Sequence, residues 1–354
     1  MIIHSNPLRQ MTVAALLFLG IASCQKEAPL TTTAPETNTK STTSLVVGPA
    51  PAMIFWSNGA NLPFVDSEPG DVPSGITYPM GFAINGKGYV CGGDLWDSHG
   101  SAMGVRNLWE FDPSTQAWTE KAPCPVIPIE GASFVIGNCA YVLNQGATYQ
   151  YNQLTNTWTQ KASMPADSST DATAMAINGK GYLGLGSNIH SPTFASLKDW
   201  WQYDPVADQW TRKANFPGGA RWFAAGFAVD GKGYVCSGVK QVKNTVSYPN
   251  DLWQYDPVND SWIQKANMPG PGLQAIGLNG TVGGVDCGFV VAGGPGGCLE
   301  YNPAKDVWGQ LPDMPGGARY RFAAFVINHS LCVGGGFGGT LGRRMDVHAL
   351  NWSK

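Results

Sequence analysis

The strongest constraint on the fold is a segment that the chain repeats. The sequence NDLWQYDPVNDSWIQKANMP, from Asn250 to Pro269, occurs earlier as KDWWQYDPVADQWTRKANFP, from Lys198 to Pro217. Self-similarity at a period of up to about 50 residues is typical of solenoids, propellers and other repeat arrays. The chain therefore builds its fold from copies of one small unit.

Each copy contains four short runs that are typical of strands. Two apolar runs are joined by a tight turn such as DGKGY, from Asp230 to Tyr234. The third run is Leu252 to Pro257, and the fourth begins at Trp262. Runs of this length between Gly, Pro, Asn and Asp residues indicate strands rather than helices. One repeat therefore predicts a four-stranded antiparallel sheet.

Counting the copies predicts a closed ring. The pairs of first and second strands begin near Tyr78, Glu130, Asp171, Arg221, Leu273 and Arg319, which makes six. The sixth copy breaks off after Asp346 to Asn351, before its fourth strand. At the other end of the chain, Trp56 to Pro63 matches the fourth strand Trp158 to Pro165. We therefore expect an N-terminal strand to complete the last repeat, which removes two exposed sheet edges.

Glycine pairs mark the end of the second strand in three copies, at Gly92-Gly93, Gly293-Gly294 and Gly334-Gly335. The other copies, with Leu185-Gly186, Ser237-Gly238 and Asn144-Gln145, depart from this pattern. With these glycines and the fourth-strand tryptophans, the chain resembles the kelch-repeat family from about Pro51 to the C-terminus. The resemblance implies a β-propeller. The predicted fold is all-β, a six-bladed kelch β-propeller over residues 53–354 whose last blade is closed by an N-terminal strand.

The N-terminal residues have the features of an export signal. The apolar run from Met11 to Ala22 is too short to span a bilayer and follows a positive region that ends at Arg9. The residues up to Cys24 resemble the lipobox of bacterial lipoproteins, which implies lipidation of Cys24; an ordinary signal peptide cleaved near Ala22 is the alternative. We predict a signal peptide over 1–23, a flexible tether over 24–52 and an outer-membrane lipoprotein of the bacterial envelope, periplasmic or surface-exposed.

Composition narrows the possible partners. Charged residues make up 13% of the chain and the net charge is −3, with no basic block, which argues against nucleic acid. Beside Cys24, seven of the eight cysteines remain, and none forms a CxxC pair. Neither a zinc site nor a disulfide framework is expected, and Cys91 and Cys236 are predicted to be small core residues. We predict no metal, no cofactor and a monomer whose only membrane contact is the lipid anchor.

Loop lengths predict which face binds a ligand. In a four-stranded blade, the loops between strands two and three emerge on the same face as the connections to the next blade. These loops are long at Asp94 to Arg106, Ser187 to Lys198 and Val239 to Asn250, whereas the opposite turns are short. Long loops on a rigid scaffold commonly carry function. The ligand site is therefore expected on this face.

The starts of the first strands should meet at the channel mouth on this face. Alignment of the copies places together Tyr78, Glu130, Asp171, Phe223, Ala275 and Arg321. Arg221 and Arg319 stand nearby, each in the sequence Pro-Gly-Gly-Ala-Arg. Guanidinium groups suit bidentate binding of carboxylate or phosphate, and aromatic residues can stack on a sugar ring. The predicted ligand-binding residues are Arg221, Arg319, Arg321, Tyr78, Trp222 and Tyr320. The alternative is that the arginines form structural ion pairs with acidic residues.

Two enzyme families with kelch propellers suggest catalytic alternatives. Galactose oxidases hold copper with two Tyr and two His, but His329 and His348 here fall away from the loops that carry His99 and His190, so no copper site is predicted. The N-acetylneuraminate epimerases, which the chain distantly resembles, imply a carboxylate base near arginines. Glu130 and Asp171 are the candidates, although no two-to-three loop contains a glutamate followed closely by an arginine.

The predicted function is non-catalytic binding of a glycan or a protein partner through the face that holds Arg221, Arg319 and Arg321. An epimerase or mutarotase acting on an acidic sugar, with Glu130 or Asp171 as the base, is one alternative. A structural lipoprotein without a small ligand is another. Propellers host binding and catalysis alike, so the fold alone does not separate these functions.

Overall fold

The computed structural model describes residues 54–63, 75–97, 99–165, 169–188, 195–243, 245–272, 274–291, 297–315, 317–338 and 346–352. The predicted signal peptide, Cys24 and the tether lie outside the described residues, as do His190 and the pair Gly293-Gly294. The described residues form strands and turns without a helix. This part of the chain accordingly contains no helix that is long and apolar enough to cross a membrane.

The strands group into six blades. The first strand of the chain is β1 (Ile54–Asn58). Blade 1 contains β2 (Gly75–Thr77), β3 (Met80–Ile84), β4 (Lys87–Trp96), β5 (Ala102–Asp112) and β6 (Ala117–Lys121). Blade 2 contains β7 (Ala132–Ile136), β8 (Cys139–Asn144), β9 (Ala147–Asn152) and β10 (Thr157–Lys161). Blade 3 contains β11 (Ser169–Thr170), β12 (Thr173–Ile177), β13 (Lys180–Gly184), β14 (Ser187–Asn188), β15 (Ala195–Ser196), β16 (Trp200–Asp204) and β17 (Gln209–Lys213).

The second half of the chain repeats this organisation. Blade 4 contains β18 (Ala225–Val229), β19 (Lys232–Cys236), β20 (Lys240–Val242), β21 (Thr245–Ser247), β22 (Leu252–Asp256) and β23 (Ser261–Lys265). Blade 5 contains β24 (Ile276–Val282), β25 (Val285–Val291), β26 (Cys298–Asn302) and β27 (Val307–Gln310). Blade 6 contains β28 (Ala323–Ile327), β29 (Ser330–Gly334) and β30 (Val347–Trp352), and β1 completes it.

The six blades form a closed β-propeller. The first strands of the blades, β3, β7, β12, β18, β24 and β28, each contact the first strand of the next blade, and β28 contacts β3. β1 pairs antiparallel with β30, from Ile54 opposite Trp352 to Asn58 opposite His348. The prediction of a six-bladed propeller whose last blade is closed by an N-terminal strand is therefore confirmed.

In blades 1 to 5, a tryptophan in the fourth strand joins the blade to the preceding one. Its Nε1 donates a hydrogen bond to an alanine carbonyl of that blade, at 2.8 to 3.1 Å, in the pairs Trp118–Ala60, Trp158–Ala122, Trp210–Ala162, Trp262–Ala214 and Trp308–Ala266. Ala60 follows β1, so Trp118 joins blade 1 to the N-terminal strand that completes blade 6. The repeated tryptophans and alanines are thus the sequence signature of the contacts between blades.

The core lies between the blades. Phe82 stacks on Tyr89 with ring centroids 5.3 Å apart, and the equivalent pair Phe227 and Tyr234 stacks in blade 4. Cys91 and Cys236 are fully buried free thiols, which confirms that they are core residues. Burial raises the pKa of the Cys236 thiol, so this side chain stays neutral and apolar.

The segment predicted as a long loop in blade 1 is largely a hairpin. β4 and β5 stay paired beyond a register shift between Cys91 and Gly93 and end with Trp96 opposite Ala102. The backbone N–H of Ser101 donates to Oδ1 of Asp97 at 2.7 Å and closes the turn. The two strands therefore project beyond the four-stranded part of the blade, on the predicted ligand face.

Candidate functional site

Six residues form a ring at the mouth of the channel, one from each blade. Each stands two positions before a first strand and has a positive φ of 47 to 58°. The six residues are Tyr78, Glu130, Asp171, Phe223, Gln274 and Arg321. This conformation is uncommon for residues other than glycine, so its occurrence in every blade marks a required bend in the chain. We refer to these six residues as the ring.

Gln274 replaces Ala275, which the sequence alignment placed in the ring. The alignment counted six residues from the proline that closes the preceding blade, which is the distance from Pro217 to Phe223. Pro269 stands only five residues before Gln274, so the count passes the ring position by one residue. The other five positions of the alignment agree with the ring. Gln274 is thus a candidate functional residue that the sequence reasoning missed. A list of the polar residues two positions before each first strand would have identified it.

Backbone hydrogen bonds hold parts of the ring together. The N–H of Tyr78 donates to the carbonyl of Arg321 at 2.8 Å, which joins the first and last blades. The N–H of Asp171 donates to Glu130 at 2.9 Å, and that of Phe223 donates to Asp171 at 3.1 Å. Because the backbone is fixed from blade to blade, the ring side chains start from preorganised positions.

The ring lines a central cavity of about 560 Å³. Below the ring, the cavity walls are the first strands, in which partly exposed residues alternate with fully buried ones. The partly exposed positions are small, for example Gly81 and Ala83 in β3 and Gly226 and Ala228 in β18. The charged groups of the cavity are therefore concentrated at its mouth, above a channel with largely small and apolar walls.

Charged and aromatic groups are in close contact on one side of the ring. The guanidinium carbon of Arg321 lies 4.3 Å from the centre of the Tyr78 ring, which is a cation–π distance. Burial, the negative charge of Glu130 and a hydrogen bond with its carboxylate raise the pKa of Tyr78, so the phenol stays protonated. Tyr78 therefore connects the positive and negative groups of the ring.

Asp171 is the carboxyl group that the ring perturbs most. Burial raises the pKa of Asp171 well above its ordinary value, and the charge of Glu130 raises it further, whereas Arg321 lowers it. A neutral carboxylic acid donates a hydrogen bond as well as accepting one. The raised pKa of Asp171 therefore favours its protonated form, which donates a hydrogen bond, beside a second carboxyl group at Glu130.

Two buried polar atoms of the ring lack a partner. Nε of Arg321 and Oε1 of Gln274 have no hydrogen bond within the described part of the chain. A buried polar group without a partner is costly, by about 1–3 kcal/mol, and the cavity offers the space for one. The ring therefore has an unused donor and an unused acceptor at the place where a bound molecule would lie.

Arg221 and Arg319 are buried elsewhere in ion pairs. Nη1 and Nη2 of Arg221 donate to the two carboxylate oxygens of Asp251 at 2.6 and 3.0 Å, and its side chain is 1% exposed. Nη2 of Arg319 donates to Asp346 at 3.1 Å. Neither arginine lines the cavity. The geometry matches the alternative of structural ion pairs, so a ligand-binding role for these arginines stays a prediction without geometric support.

Of the other predicted site residues, some line the cavity and some do not. Trp222 and Tyr320 are half-buried, and their backbones form bridges with Val239 and Phe337 rather than lining the cavity. Tyr78, Arg321, Glu130 and Asp171 do meet in the ring. The structure therefore brings together four of the eight ligand-binding and catalytic candidates and adds Phe223 and Gln274.

The described histidines do not converge. His329 lies in a turn after β28, and Nε2 of His348 in β30 contacts Asp346 at 2.8 Å. His99 lies in the turn between β4 and β5, on the ligand face. Among the described residues no group of three or more His, Cys, Asp or Glu side chains could hold a metal ion.

The raised pKa of Asp171 predicts a pH-dependent stability. The unfolded carboxyl ionises near pH 3.8, whereas the folded protein holds the proton to a higher pH. Stability therefore falls as the pH rises above this value, because the unfolded state loses its proton first. We expect Asp171→Asn, which carries no charge, to raise the melting temperature by a few degrees at pH 8 and much less at pH 4. Scanning calorimetry at the two pH values tests this, and an equal difference at both would contradict it.

Two known proteins are similar in sequence to parts of this chain. Kelch-like protein 25 of Xenopus tropicalis is 27% identical over 172 residues, which cover 44% of this chain and 28% of that protein. N-acetylneuraminate epimerase of Haemophilus influenzae (strain PittEE) is 38% identical over 93 residues, which cover 26% of this chain and 23% of that protein. The chain thus matches only about a quarter of the length of these curated relatives. No model of a protein family matches the chain.

A solved structure shares the architecture. The chain described as "Structure of YjhT" matches with a TM-score of 0.59 over 78% of this chain and 95% of that chain, at 16% sequence identity. At this identity the likeness concerns the fold alone. The glycine pairs, the fourth-strand tryptophans, the six closed blades and the kelch relatives all agree. The chain is a kelch-repeat β-propeller.

Proposed function

We propose that this propeller is a binding protein of the bacterial envelope that takes an acidic sugar at its ring. The observation that carries the proposal is the cavity mouth, where Arg321 and Gln274 each hold a buried polar atom without a partner. A bound molecule that accepts from Arg321 and donates to Gln274 would satisfy both atoms. A sugar acid has both groups, a carboxylate and hydroxyls.

The remaining ring residues suit the other groups of a sugar. Glu130 accepts hydrogen bonds from hydroxyls, and a protonated Asp171 donates one. Phe223 and Tyr78 provide aromatic surface beside them. The relatives named N-acetylneuraminate epimerase support this ligand class, because their name refers to an acidic sugar. We further propose the setting that the N-terminal residues predict, a monomer attached to the outer membrane through lipid on Cys24.

The proposal predicts that binding depends on Arg321. We expect N-acetylneuraminate, glucuronate or galacturonate to bind the wild-type protein in isothermal titration calorimetry. A charge-assisted hydrogen bond contributes about 1.5–3 kcal/mol, so Arg321→Gln should weaken binding by about ten- to a hundredfold. The glutamine keeps a polar side chain but removes the charge.

Arg212→Gln is the matched control. Arg212 is exposed on the outer strand β17, far from the cavity lining, and the same substitution there should leave affinity unchanged. No heat with any of the three acids would contradict the proposal and favour a structural or protein-binding role. Equal affinity of the Arg321→Gln variant and the wild type would contradict the assignment of the site.

The raised pKa of Asp171 beside Glu130 supports a second candidate, mutarotation or epimerisation of the bound acid. In mutarotation, Glu130 would take the proton of the anomeric hydroxyl while the bond from the anomeric carbon to the ring oxygen breaks. Asp171 would donate its proton to that oxygen. Closure on the opposite face of the carbonyl returns both protons and gives the other anomer. An anomerisation rate of N-acetylneuraminate equal to that in buffer, followed by NMR, would exclude this candidate.

A further inference from the structure

Two positions recur in the core of every blade. The first, which we call the strand-two position, pairs with the first residue of strand one. From blade 1 to blade 6 it is occupied by Cys91, Leu143, Gly184, Cys236, Val291 and Gly334. The second, which we call the closing position, lies immediately before the proline that follows strand four. In the same order it is occupied by Cys124, Met164, Phe216, Met268, Met314 and Leu62.

The fold places the two positions side by side. In blade 4, Cys236 and Met268 belong to one cluster of buried residues. In blade 6, a β-carbon placed on Gly334 would lie 3.6 Å from Cδ1 of Leu62. A side chain at the strand-two position therefore points towards the closing residue of the same blade.

A backbone hydrogen bond fixes the closing position. The N–H of Cys124 donates to the carbonyl of Arg106 at 2.8 Å, and the N–H of Met268 donates to the carbonyl of Asn250 at 2.8 Å. Arg106 and Asn250 are equivalent, since each stands two positions before the third-strand residue that pairs with the strand-two cysteine. The closing residue is therefore held in the same place in blades 1 and 4.

Blade 1 is the one blade of the six with a cysteine at both positions. Cys91 and Cys124 are each 0% exposed and belong to one core cluster. Their thiols interact directly, and this interaction, together with burial, raises the pKa of Cys91. The same interaction lowers the pKa of Cys124 against the effect of burial, and a hydrogen bond from the N–H of Val126 lowers it further. The structure thus holds two adjoining thiols in their reduced form.

We propose that Cys91 and Cys124 form a disulfide bond when the protein folds in an oxidising compartment. The bond would join strand two of blade 1 to the segment that closes this blade. The envelope, which is the setting proposed above, is a compartment in which such bonds persist. This is a single bridge rather than the framework of several bridges that the sequence argued against, and it does not depend on the sugar ligand.

The oxidant belongs to the class of disulfides, such as oxidised glutathione or a protein disulfide. The thiolate of Cys124 attacks one sulfur of this oxidant and expels the other as a thiolate. The sulfur of Cys91 then attacks the Cys124 sulfur of the mixed disulfide and expels the second thiolate. The two protons lost by the cysteines end on the two expelled thiols, and the oxidant takes up two electrons. Because both cysteines are fully buried in the folded protein, the exchange takes place before the core closes.

The test begins with refolding of the full chain in a mixture of reduced and oxidised glutathione. The product is unfolded and alkylated with iodoacetamide, once directly and once after reduction. We expect two fewer alkylated cysteines in the sample that was not reduced. Peptide mapping by mass spectrometry without reduction should then find Cys91 linked to Cys124.

The repeat supplies a matched control. Cys91→Ala should abolish the difference of two cysteines, whereas Cys236→Ala, the same substitution at the strand-two position of blade 4, should preserve it. Cys124→Met is a second variant that should abolish the difference. It places at the closing position the residue that blades 2, 4 and 5 have there, so it suits the fold.

The bridge should also stabilise the protein, because it restricts the unfolded chain. We expect the oxidised wild type to melt about 5–10 °C above the same protein refolded with a reductant, and Cys236→Ala to show a similar difference. Cys91→Ala and Cys124→Met should show less than about 2 °C. Equal alkylation of the wild type with and without reduction would overturn the proposal. So would a bridge that joins other cysteines, or one that survives Cys124→Met.

Discussion

Deletion of the chain through Leu62 is expected to lower the melting temperature by more than about 10 °C. The deletion removes β1, which pairs with β30 along its length, and leaves the edge of blade 6 unpaired. It also removes the carbonyl of Ala60, which accepts from Trp118 at 3.1 Å, and the core residue Leu62, which is 3% exposed. Loss of a buried leucine alone costs about 2–5 kcal/mol, and about 1 kcal/mol shifts the melting temperature of a large domain by roughly 2–4 °C.

The matched control removes part of the chain that precedes the closing strand. Deleting Gln25 to Thr43, which lies outside the described residues, should leave the melting temperature within about 2 °C of the wild type, because this deletion keeps β1, Ala60 and Leu62. Calorimetry on the two truncations at equal concentration decides the matter. Equal melting temperatures would contradict the argument that β1 stabilises the propeller by closing it.

Closure of the propeller could be predicted because the last copy of the repeat lacks a fourth strand and one N-terminal segment has the pattern of that strand. Asp346 to Asn351 matches a third strand with no fourth strand after it, and Trp56 to Pro63 has the pattern of a fourth strand with nothing before it. Strand alternation and turn residues are local signals, so they survive in every copy. The contact that Trp118 makes with Ala60 follows from the same pattern, since each copy repeats the tryptophan and the alanine.

The ring could be predicted in part. Tyr78, Glu130, Asp171 and Arg321 follow from aligning the copies, because each stands at a constant distance before its first strand. The alignment fails at Gln274, because the connection from Pro269 to the ring is one residue shorter than the equivalent connection from Pro217 to Phe223. Copies are most reliably aligned within their strands, so errors occur where the length of a connecting segment changes.

The different surroundings of the arginine side chains could not be predicted from the neighbouring sequence. Arg221 stands two positions before the ring residue Phe223, and Arg321 is a ring residue. Arg221 is nevertheless buried against Asp251, whereas the guanidinium of Arg321 lies against Tyr78 at the cavity. The difference depends on an aspartate that is distant in sequence, and on the direction of the side chain after the bend.

Removal of the Arg221 side chain is the second substitution with a large expected effect. Arg221→Ala leaves Asp251, whose side chain is 19% exposed, without its bidentate partner, and breaking one side of a buried ion pair costs up to about 3–5 kcal/mol. It also removes the hydrogen bond from Nη1 to the carbonyl of Ser237 at 2.9 Å. We expect the free energy of unfolding, from denaturant titration, to fall by about this amount. Arg212→Ala on the exposed face of β17 should change it by less than about 0.5 kcal/mol.

A double variant separates loss of a charge pair from loss of a ligand contact. Arg221→Met with Asp251→Asn removes both charges but keeps an acceptor for Nε1 of Trp253, which donates to Asp251 at 2.8 Å. This variant should recover much of the stability that Arg221→Ala loses, because no buried charge is left unpaired. Both variants should bind acidic sugars like the wild type at temperatures where they are folded. If Arg221→Ala were as stable as the wild type but lost sugar binding, Arg221 would be a ligand contact, and the ring would have to be extended to include it.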